Sequence, residues 1–228
     1  MLSTGVATMA HAMPSPRIGP NSVTRVAEVL VERFGAPRMA AIFGRAGLAH
    51  YVDALPTQMI DEAEVIHLHA ELRATLDVAA ARDVLREAGR RTGDYLLAHR
   101  IPRPVQGLLK CLPPALAARV LLAAITRHAW TFAGSGRFEV IGHTPVRVSI
   151  SGNPLARAVH ADAPQCDYYA ATFERLFCAL VSRSSTVVET CCEAAGAAAC
   201  VFEVRWPRVA AGALAAAVSP EEHRAVAQ

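Results

Sequence analysis

The sequence predicts an α+β fold: a helical region followed by an antiparallel β-β-α-β-β unit, with helices on one face of the sheet. Three observations lead there. Apolar residues recur at helical spacing through much of residues 20–135. At about residue 136 the pattern changes to short alternating runs rich in β-branched residues. Those runs form two pairs, each divided by a turn signal, with one helical segment between the pairs.

In chain order, residues 1–19 hold Pro14, Pro16 and Gly19 without periodicity and read as a flexible arm. Asn21 or Ser22 is suited to cap a helix. Val23, Val26, Ala27, Leu30 and Phe34 then make one buried face, Gly35 supplies a stop, and Pro37 suits the next start. Met39–Val52, Ile60–Leu72 and Asp77–His99 read as further helices, the last with Arg82, Arg86, Glu87 and Arg90 outward. Pro102, Pro104, Pro113 and Pro114 cut the chain into short pieces before Ala115–Trp130 resumes a helix. Arg137–Ile141 and Val146–Ser151 read as a hairpin around Gly142–Pro145. Asp167–Ser182 is a helix with Tyr169, Phe173, Leu176, Phe177 and Leu180 on one side. Thr186–Glu193 and Ala199–Trp206 form a second hairpin around Ala194–Ala198, and an Ala-rich tail spans 208–228. The helical region is therefore expected over 20–135 and the sheet unit over 136–207.

The 228 residues are 53% hydrophobic and 19% charged, a globular balance. The net charge is +3 and no Lys/Arg run exceeds two residues, which argues against nucleic acid as a partner. The most apolar stretch, Leu112–Trp130, is interrupted by two prolines, two arginines and a histidine, so no transmembrane segment is expected. The N-terminus lacks the basic and apolar regions of a secretory signal, and a cytoplasmic location is expected. Cysteines there stay reduced and read as metal-binding, catalytic or packing residues rather than disulfides.

Of the six cysteines, Cys166 opens the helix before the second hairpin, where the helix dipole favours a thiolate. Cys191, Cys192 and Cys200 flank the hairpin turn. With Gly196 at its centre, Cys192 and Cys200 stand opposite each other, near enough to reach one ion. Glu189 adds an oxygen from the same strand. Three thiolates and a carboxylate suit tetrahedral zinc. On a regular strand Glu189 and Cys192 face opposite ways. Either a bulge between them restores the set, or Cys191 takes the place of Cys192. Cys111 and Cys178 read as packing residues.

The segments GRRTGDYLLAHRIPRP (89–104), RHAWTFAGSG (127–136), CDYYAATFERLFCALV (166–181) and VVETCCEAAGAAACVFEVRW (187–206) resemble the bacteriochlorophyll 4-vinyl reductase (bacteriochlorophyll-biosynthesis J protein) family. The resemblance runs from about residue 20 to 207, and its last third is similar to the wider 4-vinyl reductase domain, related to the α+β TRAPP subunits and often dimeric. It implies a structural zinc on Cys166, Glu189, Cys192 and Cys200, and so picks Cys192 over Cys191. It further implies reduction of the 8-vinyl group of a divinyl magnesium tetrapyrrole, with other enzymes of the pathway as partners.

Such a reduction needs a hydride source that side chains do not supply. No G-x-G-x-x-G follows a strand; Gly134-Ser135-Gly136 reads as a helix-to-strand turn. The reductant and the catalytic residues are therefore not legible. The alternative is a zinc-stabilised tetrapyrrole carrier or assembly factor. For pigment contact the candidates are His128, as an axial ligand, with Trp130 and Phe132 as stacking rings. Arg100 and Arg103 are placed to meet a propionate. Asp61, Glu62 and Glu64 read as the acidic first turn of a helix.

Overall fold

The computed structural model describes residues 15–207. Helical elements and antiparallel sheets are both present, as the sequence predicts. Strand β1 (Arg17–Ile18) pairs with β2 (Ile60–Asp61). The expected arm is therefore shorter than 1–19: Ile18 is buried and its neighbour is held in a ladder. Residues 1–14 and the Ala-rich tail lie outside the described residues.

Helix α1 (Asn21–Phe34) begins after Pro20, with no side-chain cap from Asn21 or Ser22; the Ser22 hydroxyl bonds back to the Gly19 carbonyl instead. Val23, Val26, Ala27 and Leu30 are buried, but Phe34, in the last turn, is 39% exposed. Gly35 ends the helix at φ 79°, a conformation that favours glycine. Helix α2 covers Ala36–Arg45, with Pro37 in its first turn, and Ala49–Tyr51 is a separate 3₁₀ turn. The continuous helix expected over Met39–Val52 is thus broken, because Gly47 takes a positive φ.

Helix α3 (Glu62–Thr75) is capped by Asp61, whose carboxylate accepts from the Ala63 amide. Helix α4 (Val78–His99) is capped in the same way by Asp77. Then come α5 (Arg103–Cys111), α6 (Pro114–Arg127) and the single turn α7 (Trp130–Ala133). Trp130 accordingly falls outside the helix expected to reach it.

Strands β3 (Arg137–His143) and β4 (Val146–Ser151) form the first hairpin, turning at Thr144-Pro145 rather than over Gly142–Pro145. After α8 (Asp167–Leu180), β5 (Thr186–Cys191) and β6 (Cys200–Arg205) form the second. The sheet order is β3-β4-β6-β5, so the last strand is internal. Val146, Val148, Ile150, Phe202 and Val204 share its buried face, with Val148 opposite Phe202 and Val146 opposite Val204.

Helix α8 lies on that face. Phe173 packs edge-on to Phe202 at 5.6 Å, and Tyr169 lies 6.4 Å from the same ring. Its other side meets α4 closely enough that a Cβ on Gly89 would sit 2.1 Å from the Tyr168 carbonyl oxygen, and one on Gly93 2.7 Å from Arg175. Only glycine fits that contact. Asp167, at the start of α8, accepts from Arg82 and Arg86 of α4, so two of the arginines expected to be solvated are paired across the interface.

Candidate metal centre

Sheet register explains how four ligand-type side chains meet. Glu189 of β5 stands opposite Phe202 on the buried face. A register shift follows at Thr190, so Cys191 pairs with Val201 and is exposed. Cys192, one residue on, returns to the buried face. The bulge thereby places Glu189 and Cys192 on one side, as two residues on a bulged strand oppose one on its partner.

A 3₁₀ turn, Glu193–Ala195, carries the chain back towards β6. The Ala195 and Ala197 amides both bond to the Cys192 carbonyl, and Gly196 takes φ 84°. Cys192 thus lies beyond the end of β5, and Cys200 pairs across the sheet with Ile150 of β4. The two cysteines are near neighbours around the turn rather than a cross-strand pair. Cys166 comes from the residue before α8.

The ligand atoms of Cys166, Glu189, Cys192 and Cys200 all lie within 4.8 Å of one another. The three sulfurs are separated by 3.6, 3.8 and 3.9 Å. A disulfide needs about 2.05 Å. Three thiolates at about 2.3 Å from a tetrahedral ion stand about 3.8 Å apart, and the observed spacings bracket that value.

Hydrogen bonding leaves the same gap. Glu189 Oε2 accepts from the Cys166 amide at 2.7 Å, whereas Oε1 is buried without a partner. An unpaired buried carboxylate oxygen is costly, and a cation among the three sulfurs would satisfy it. Around the cluster, Asn153 Nδ2 donates to Cys166 Sγ at 3.2 Å and the Glu193 amide lies 3.4 Å from Cys200 Sγ. The Glu193 carboxylate accepts from the Gly152 and Asn153 amides, which fixes Asn153 in turn.

Packing four acidic groups into one corner opposes ionising them all. Burial pushes the Glu189 carboxyl up to about 8. Contacts with Cys192 and Cys200, then burial, hold the Cys166 thiol well above its ordinary value. Cys192, receiving from both sulfurs, is pulled far below its own. A bound cation removes the conflict by favouring all four ionised forms. The residues present therefore fit a metal ion. Asn153, Glu193 and Arg73, which surround the cluster, carry no local signal beyond the Asn153-Pro154 turn.

The pigment candidates do not converge. His128 is exposed and its Nδ1 lies 2.9 Å from the Ala124 carbonyl. Trp130 is 62% exposed. Phe132 turns inward, edge-on to Phe138 at 5.6 Å and to Phe173 at 6.1 Å, while Tyr169 donates to its carbonyl. Phe132 is therefore core, not a free stacking face. Arg100 lies over the Tyr95 ring at 5.9 Å. The acidic trio also divides. Asp61 caps α3, Glu64 accepts from Tyr51, and Glu62 is buried against Ser135 and Arg157. The Glu62 bonds tie the Gly134-Ser135-Gly136 turn to α3. Between α4 and α8 a cleft of about 330 Å³ is lined largely by charged side chains, among them Arg33, Arg86, Arg90 and Arg175. It is not the apolar pocket expected for a flat macrocycle.

Comparison with known proteins places the chain. Residues 146–206 match the 4-vinyl reductase domain. The chain is 43% identical over 201 residues to the "Bacteriochlorophyll synthase 23 kDa chain" of Cereibacter sphaeroides, covering 88% of this chain and 94% of the relative. The chain of the same name from Rhodobacter capsulatus is 40% identical over 199 residues, with 85% and 92% covered. Among solved structures, the phenol-responsive sensory domain of the transcription activator PoxR with phenol aligns at a TM-score of 0.41 and 16% identity, over 66% of this chain and 78% of that one. Identity at this level over nearly the whole length of both relatives means that the chain belongs to the family of the bacteriochlorophyll synthase 23 kDa chain, with its 4-vinyl reductase domain at residues 146–206.

Proposed function

We propose that this chain is a zinc-stabilised accessory protein of bacteriochlorophyll biosynthesis that handles a magnesium tetrapyrrole precursor for other enzymes of the pathway. Identity of 43% over 94% of a chain named for bacteriochlorophyll synthase carries the pathway assignment. The ion is zinc, because three sulfurs and one carboxylate oxygen at tetrahedral spacing suit it. With four protein ligands the site is closed and structural: it supports the fold and leaves no position for substrate. Among the described residues no helix is long and apolar enough to cross a membrane, in keeping with a cytoplasmic protein that docks on its partners, as a homodimer in the TRAPP-related fold.

Pigment contact belongs on the outer surface, where Trp130 offers an exposed ring and His128, two residues earlier, an exposed imidazole. A second reading, reduction of the 8-vinyl group, is favoured by the sequence resemblance over 89–104, 127–136 and 166–206. It requires a bound nicotinamide, flavin or other electron donor. One assay separates the readings. Purified protein is mixed with divinyl chlorophyllide and NADPH, NADH or reduced ferredoxin, and products are resolved by chromatography. Saturable binding with a shifted pigment band and no 8-ethyl product is expected. Catalytic formation of the 8-ethyl product would replace the accessory reading with the enzymatic one, and absence of any binding would reject both.

A further inference from the structure

Arg73, on α3, belongs to the helical region yet reaches the metal corner. Its Nη2 donates to the Gln165 carbonyl at 2.8 Å, the residue before Cys166 and 92 positions along the chain. Its Nη1 donates to the His69 carbonyl one turn back at 3.0 Å, and its Nε is buried with no partner. Burial pulls the guanidinium below its ordinary value, and the negative charges of Cys166, Asp167, Cys192 and Glu189 raise it back. Asp167 is already paired with Arg82 and Arg86, so the charge left for Arg73 to balance is that of the cluster.

We propose that Arg73 is the charge partner of the metal centre, a positioning residue that offsets the surplus negative charge of a Cys₃Glu site and ties it to helix α3. This inference rests on the zinc reading above. Three thiolates and a carboxylate around a doubly charged ion leave a net negative centre, and a negative centre in a buried corner is stable only with a cation nearby. Arg suits the place because its planar fork can clamp two carbonyls while its charge stays fixed at any working pH. Partners outside the ligand set usually matter 10–100-fold for metal affinity.

The test uses the full chain and zinc alone, with affinity read by competition against a chromophoric chelator. Arg73→Gln keeps a hydrogen-bond donor and loses the charge; Arg73→Lys keeps the charge and loses the fork. If Arg73 acts through charge, R73Q binds zinc about 10–100-fold more weakly at unchanged stoichiometry, and R73K stays within about threefold of wild type. If R73Q matches wild type, the role of Arg73 is overturned and the zinc reading survives. If R73K is as weak as R73Q, the residue is a backbone clamp and the proposal also falls. Wild-type protein that holds no zinc overturns both readings. Should R73Q fail to fold, R73K against wild type decides: a loss of about tenfold or more rejects the charge role.

Discussion

Two corners of this molecule attract attention for the same reason, a concentration of chemically interesting side chains, and they differ in what the fold has left undone. At the aromatic corner, Phe132, Phe138, Tyr169 and Phe173 meet edge-on or stacked, and the one polar group among their side chains, the Tyr169 hydroxyl, donates to a carbonyl. Every group there is satisfied. At the cysteine corner, three sulfurs crowd together and Glu189 Oε1 is buried without a partner. The first corner is core and the second is a binding site. Unmet bonding capacity, more than residue type, tells them apart.

The contrast breaks most visibly at the metal. Cys200→Ser should abolish near-stoichiometric zinc and lower stability by several kcal/mol, since structural zinc contributes directly to folding energy. Elemental analysis with thermal melting checks this, and unchanged metal content would remove Cys200 from the ligand set. At the aromatic corner, Phe132→Ala should cost about 3–5 kcal/mol as a cavity in packed core, with zinc content unaltered. A mild melting change joined to a selective loss of pigment binding would restore Phe132 as a contact residue.

His69 gives a smaller effect that sharpens the view of the buried polar groups beside the cluster. Burial, then Arg73, lowers its imidazole to about 3 from the ordinary 6.5, so the folded protein keeps it neutral. Below pH 6.5 the unfolded chain takes up the proton and the folded chain does not. Stability from this residue is therefore full above 6.5 and is lost as pH falls towards 3. In metal-free protein, His69→Gln should flatten that acid limb by on the order of 1–3 kcal/mol at pH 4. Parallel wild-type and variant curves would discard the assignment. The smallest change is expected at Trp130→Ala, within about 0.5 kcal/mol in stability because the ring is mostly exposed. Its readout is pigment affinity, and unaltered affinity would move the contact surface elsewhere.

Legibility in the sequence followed the range of the interaction. Helices α1, α4 and α8 were readable because their faces repeat within a dozen residues, and Asp77 sits where a cap belongs. The helix-to-strand change at residue 136 and both hairpins were readable for the same local reason. The ligand set was nearly so. Its spacing already required a break between Glu189 and Cys192, and the structure has one at Thr190. What could not be read depended on distant packing. The two-residue ladder of Arg17–Ile18 with Ile60–Asp61 has no periodicity to detect. Phe132 has the same local signal whether it stacks on a ligand or on Phe173. Arg73 resembles any helix arginine until α3 is laid against the loop before Cys166, and α8 meets α4 through Gly89 and Gly93, which sequence alone would read as weak points in a helix.

The internal place of β6 has a consequence for the order of events on the ribosome. Strands β3, β4 and β5 emerge first, yet β4 and β5 do not pair with each other; each waits for Arg205 and its neighbours to come out and fill the gap between them. Until then the nascent chain presents two unpaired ladder edges, the kind of surface that recruits other strands. Cys200, the first residue of that late strand, arrives last of the four ligands. Zinc capture would therefore coincide with sheet closure and act as a latch on a finished sheet, so that a cell short of zinc would be expected to accumulate the half-closed, aggregation-prone chain.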